Sequence, residues 1–107
     1  MQNLKSVNDI IHKKPAVILY FSTSTCNVCR SLKPKLIDAV QKHINKFEII
    51  DIDIATGTDV AASFNVFTIP TVLFFLEGKE FLRKSRHMSI GEVIREIKRP
   101  YDMLFDA

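Results

Sequence analysis

Ser24-Thr25-Cys26-Asn27-Val28-Cys29-Arg30 holds both cysteines of this 107-residue sequence, and the residues on its two sides read as different kinds of structure. Upstream, Ala16-Val17-Ile18-Leu19-Tyr20-Phe21 is apolar without alternation, the pattern of a central strand covered on both faces. Downstream, Val28, Leu32, Leu36, Ile37, Val40 and Ile44 recur at three- and four-residue intervals and predict a helix from about Asn27 to about His43. Cys26 therefore stands where a strand turns into a helix. A helix start leaves backbone N–H groups unpaired and carries about half a positive charge, both of which favour a thiolate over a thiol. Cysteines so placed have pKa values of about 3.5 to 7.5, against about 8.5 for a free thiol. Cys29 follows one helical turn on, within reach of Cys26. Pro34 falls inside the helix, removes one backbone hydrogen bond and is expected to bend it, leaving a rigid first turn that carries the cysteines.

The length suits one domain, residues 1–107, with a single core around a small sheet. A net charge of +3, with Lys/Arg and Asp/Glu interspersed, describes a solvated surface. It lacks the basic stripe with interleaved aromatics that nucleic-acid binding needs, so no nucleic-acid partner is expected. No apolar run approaches a membrane span, and the first fifteen residues have neither the apolar centre nor the cleavage site of a signal peptide. A cytoplasmic protein without a membrane partner is expected. A CxxC pair closes too short a loop to serve as a structural staple, which leaves redox work or metal binding.

Outward from the cysteines, Met1 to Lys5 reads as a short edge strand through Leu4, and Ser6 as the cap of a helix over Val7 to His12 that ends before Pro15. His12, beside two lysines, reads as a surface residue. Phe47 to Ile54 alternates in part, with acids outward, and predicts the next strand. Thr56-Gly57-Thr58 is a turn and cap before a short helix from Asp59 to Phe64. Val72 to Leu76, the turn Glu77-Gly78-Lys79 and the alternating Glu80 to Ser85 predict a hairpin with an edge strand. Ser89 and Glu92 form a capping-box pattern for a last helix, Ile90 to about Arg99, which Pro100 is expected to interrupt. The apolar residues of the tail, Met103, Leu104 and Phe105, are expected to dock on their own domain. The order implies an α/β fold: a mixed sheet of four to five strands, parallel crossovers first and an antiparallel hairpin last, with helices on both faces.

Four features in order, Cys26-Asn27-Val28-Cys29, Pro34, Asp53 in the following strand and Ile69-Pro70-Thr71, make nearly the whole chain resemble the thioredoxin family. The resemblance implies the thioredoxin fold, with Cys26 as attacking thiolate and Cys29 as resolving thiol of a redox-active CxxC. It also implies Pro70 as the family's cis-proline, facing the dithiol, with the backbone of Ile69 pairing an extended substrate segment. Thr25, Ile69, Pro70 and Arg86 are the expected substrate-contacting residues. The departures are specific. The family's Trp-Cys-Gly-Pro-Cys is Thr25-Cys26-Asn27-Val28-Cys29 here, and the chain has no tryptophan. Tyr20 stands where the family has a buried aspartate and Asp51 where it has the accompanying lysine, so slower resolution by Cys29 is expected unless water, Lys33 or Asp51 substitutes. Arg86, followed by His87, replaces a small glycine near the site; if the loop keeps its place, it makes with Arg30 a small basic rim that would lower the pKa of Cys26 and attract anionic thiol partners, and the bland alternative is a solvated loop with no role.

The function this implies is a thiol–disulfide oxidoreductase of cell redox homeostasis. It would reduce protein or low-molecular-weight disulfides as a monomer without a bound cofactor and take electrons from a separate reductase. Two alternatives stand beside it. One is a thioredoxin-like binding module with weak or lost redox activity, favoured by the missing tryptophan, aspartate and lysine and opposed by the retained cysteines. The other is a metal or iron–sulfur site, for which two cysteines supply half the ligands. His12 and His43 are not spaced to complete such a site, so His87 or a second protomer would have to.

Overall fold

A computed structural model describes residues 3–105. Helix α1 spans Leu4–Lys13, strand β1 Ala16–Ser22, α2 Asn27–His43, β2 Glu48–Asp53, α3 Thr58–Ser63, β3 Thr71–Leu76, β4 Lys79–Ser85 and α4 Ile90–Phe105. The four strands form one sheet in the order β2-β1-β3-β4. β1 runs parallel to β2 and antiparallel to β3, and β3 runs antiparallel to β4.

The unbroken apolar run of β1 is central because it feeds two cores at once. Side chains alternate across a strand. Ala16, Ile18 and Tyr20 join Val72 and Phe74 under α2 and α4, while Val17, Leu19 and Phe21 join Leu73 and Phe75 under α1 and α3. Burying each such side chain stabilises the fold by about 1.5–3 kcal/mol. The sheet is thus held from both faces, and its ends are left to carry chemistry.

Three local expectations are corrected. Leu4 lies in α1 and not in an edge strand, so among the described residues the sheet has four strands; Met1 lies outside them. Asn3, not Ser6, caps this helix: its side-chain oxygen accepts the Ser6 N–H at 2.8 Å, which starts the helix a turn earlier. At the other end of the chain, α4 continues through Pro100 to Phe105. A proline inside a helix removes one hydrogen bond. Here that loss is outweighed by the next residue, Tyr101, which is 6% exposed, stacks on Phe47 at 5.7 Å and accepts the Lys46 N–H at 3.0 Å. The tail packs on its own domain through Tyr101 and Phe105, whereas Met103 is exposed.

The hairpin turn reads as expected. Glu77 and Gly78 both have positive φ, 53° and 80°, the mirror-image turn that matches the twist of two antiparallel strands. Among the described residues no helix is long and apolar enough to cross a membrane.

Candidate active site

Phe21 at the end of β1 pairs with Thr71 at the start of β3, and Thr71 pairs with Ser85 at the end of β4. Antiparallel pairing therefore brings three loops to one end of the sheet: the one leading to Cys26, the one holding Ile69 and Pro70, and the one starting at Arg86. The Arg86 N–H donates to the Pro70 carbonyl at 2.7 Å, which ties the last two together. Thr71 Oγ1 donates to the Thr68 carbonyl at 2.7 Å and closes the turn before β3. The Ile69–Pro70 peptide bond is cis. Cys26 and Ile69 are both half-buried and pack against the same core cluster.

Cys26 is the N-cap of α2. Its backbone is extended, and its Sγ accepts the Cys29 N–H at 3.1 Å, one of the donors a helix start leaves unpaired. The two cysteines are joined in a disulfide with Cα atoms 5.3 Å apart. They differ in access, Cys29 being 2% exposed while Cys26 is reachable from solvent. Thr25, beside Cys26, is exposed, its Oγ1 3.4 Å from that of Thr23. Among the described residues no group of three or more His, Cys, Asp and Glu is arranged to hold a metal.

Behind the disulfide, Tyr20 is fully buried and its hydroxyl donates to the Cys29 carbonyl at 2.7 Å. Burial, and secondarily the Asp51 carboxylate, push the phenol up to about 12, so it stays neutral at physiological pH. Asp51, opposite Tyr20 in the parallel ladder, pairs with Lys33 Nζ at 2.6 Å. Tyr20, Cys29, Lys33 and Asp51 share the wall of a cavity of about 420 Å³. Lys33 and Asp51 are 18 residues apart, a pairing that no local pattern announces. Asp53 acts on the backbone instead. Its carboxylate accepts the Ala55 N–H at 2.9 Å and its carbonyl the Gly57 N–H at 2.7 Å, holding the turn into α3.

The basic rim is split. Arg30 Nη2 donates to Asn27 Oδ1 at 2.7 Å and Arg30 lines the Tyr20 cavity, whereas Arg86 and His87 line a separate groove against Val28. Val28 itself, expected on the buried stripe of α2, is 55% exposed. It lies in the first turn of α2; further along the stripe Leu36, Val40 and Ile44 are buried and Leu32 is half-buried against the core. Phe67, also missed from sequence, is 78% exposed just before the Ile69-Pro70 turn.

Arg86 sits at φ +61°, the left-handed region where an L side chain is strained and glycine is not. Arg86→Gly is therefore expected to leave stability unchanged or raise it by about 1 kcal/mol, where a glycine elsewhere on the surface would lower it. Thermal unfolding measures this, and a clear fall in Tm contradicts it.

The thioredoxin family model matches residues 2–99. Thioredoxin-like protein YdfQ of Bacillus subtilis is 30% identical over 101 residues, covering 94% of this chain and 89% of that protein. The solved thioredoxin 1 of Thermosipho africanus superposes with a TM-score of 0.74 at 32% identity, over 82% of this chain and 97% of that one. NADPH-dependent thioredoxin reductase 3 of Arabidopsis thaliana contains a segment 33% identical over 92 residues, covering 85% of this chain and 17% of that protein.

Proposed function

This chain belongs to the thioredoxin family and is a thiol–disulfide oxidoreductase, and we propose that Cys26 is its attacking sulfur and Cys29 its resolving one. The observation that carries this is the asymmetry of access: of two sulfurs within bonding reach, the one that caps α2 meets solvent and the other is buried behind it. In the reduced protein the Cys26 thiolate, favoured by the helix start, attacks one sulfur of a substrate disulfide. A mixed disulfide forms and the substrate's first thiolate leaves. The Cys29 thiolate then attacks Cys26 Sγ, the second substrate thiolate departs, and the Cys26–Cys29 disulfide remains. Two electrons have passed from the protein dithiol to the substrate, and the two substrate thiolates take up the protons the dithiol has lost. The high effective concentration of Cys29 makes the second step fast relative to escape of the trapped substrate.

Restoring the dithiol takes two electrons from a separate reductase. Thr25, Ile69, Pro70 and Arg86 contact the substrate, whose extended segment pairs with the backbone of Ile69 as an added strand. The protein works in the cytoplasm as a monomer of one domain. Cys29→Ser tests the scheme. It is expected to hold substrates as reductant-sensitive mixed disulfides on non-reducing gels while turnover stops; partners retained after dithiothreitol would instead indicate a non-redox binding module.

A further inference from the structure

We propose that the groove between α2 and the β4–α4 loop docks an acidic polypeptide segment that flanks the disulfide being reduced, a specificity that rests on the oxidoreductase reading above. The groove encloses about 760 Å³. Along one wall run Val28, Ser31, Leu32 and Lys35, one face of the first two turns of α2; the other wall is the segment from Arg86 to Ile90. Three cations line it, Lys35, Lys84 and Arg86, against the one carboxylate of Glu92. Lys84 is held by Glu96 at 3.0 Å, whereas among the described residues neither Lys35 nor Arg86 has an ion-pair partner.

Its position ties it to the chemistry. Val28 is two residues past Cys26 and the most exposed apolar side chain of α2, and Arg86 is bonded through its backbone to Pro70. A chain leaving the Ile69-Pro70 turn therefore enters the groove at Arg86 and meets Lys35 at its far end. Val28 and Lys35 lie seven residues apart on the helix, about 10 Å, a span that about three residues of extended polypeptide cover. Val28, Leu32, Met88 and Ile90 give the groove apolar surface beside its cations. A small inorganic anion gains nothing from that surface; a segment alternating acidic and apolar side chains satisfies both.

The test uses three disulfide-looped peptides, identical except for acidic, neutral or basic residues in the three positions on either side of the loop. The pre-reduced chain is mixed with each in single turnover, acid-quenched, and the peptide thiols counted. The acidic-flanked peptide is expected to react about tenfold faster than the basic-flanked one at low ionic strength, the gap closing to about twofold at 0.5 M salt. Lys35→Ala/Arg86→Gly removes both free cations, at an exposed helix position and at a backbone that glycine suits, and is expected to shrink the gap to about twofold or less. Lys13→Ala/Lys14→Ala, at the opposite end of β1, changes net charge equally and is expected to preserve it. Equal rates for the three peptides, or a gap that both double variants reduce alike, overturns the groove and leaves the oxidoreductase standing. Failure to reduce any of the three overturns both.

Discussion

Cys26→Ser lowers disulfide reduction by about a thousandfold or more, because the sulfur left behind cannot take its place. Cys29 is 2% exposed, with its backbone held in the first turn of α2 and its carbonyl held by Tyr20, so a bulky substrate disulfide has no line of approach to it. The variant keeps its fold. Serine is among the preferred N-cap residues, and its hydroxyl replaces Cys26 Sγ as acceptor of the Cys29 N–H. A loss of rate accompanied by an unchanged circular dichroism spectrum is therefore chemical. Insulin turbidity or thiol release measures it, and retention of more than a few per cent of the wild-type rate refutes the assignment of the attacking sulfur.

Tyr20 gives the largest expected effect on stability. Its ring fills the core between β1 and α2 and its hydroxyl is spent on the Cys29 carbonyl. Tyr20→Phe keeps the ring and loses one buried hydrogen bond, about 1 kcal/mol. Tyr20→Ala also opens a cavity and costs about 3–5 kcal/mol, which at this size lowers Tm by about 15–25 °C. Urea titration with the two variants separates the terms. The phenol adds a signature in pH. Its pKa is about 12 in the fold against 10.0 as the reference. The folded protein therefore holds a proton that the unfolded chain releases between those values. Tyr20's contribution is complete below pH 10 and lost as pH rises toward 12. Tyr20→Phe is expected to lack that part of the alkaline fall; an identical profile in the variant contradicts the burial argument.

These effects also show which parts of the site were legible in the order of residues. The strand-to-helix junction at Cys26 was, because both flanking patterns are local: an unbroken apolar run and a three-to-four periodicity. The hairpin at Glu77-Gly78 was legible for the same reason, whereas the role of the Ile69–Pro70 turn was recognised only through the resemblance to the thioredoxin family. Pro100 misled because the packing of Tyr101 on Phe47, across the domain, outweighs one missing backbone hydrogen bond. Leu4 misled because a lone apolar residue has no period, and the cap that decides its state is Asn3. The pairing of Lys33 with Asp51 depends on α2 lying beside β2, and the separation of Arg30 from Arg86 on which side of α2 each faces. Both are products of the assembled tertiary structure.

One outer strand, β4, carries a further consequence. Phe74 pairs with Leu82 and Phe75 with Glu80, so Phe81 is an inserted bulge residue that breaks the ladder. Arg83 is drawn across the margin, its guanidinium bound to Glu80 at 2.9 Å and to the Phe64 carbonyl at 2.8 Å. A second copy approaching this border meets a kinked backbone and anchored charge in place of a flat template for fibril growth.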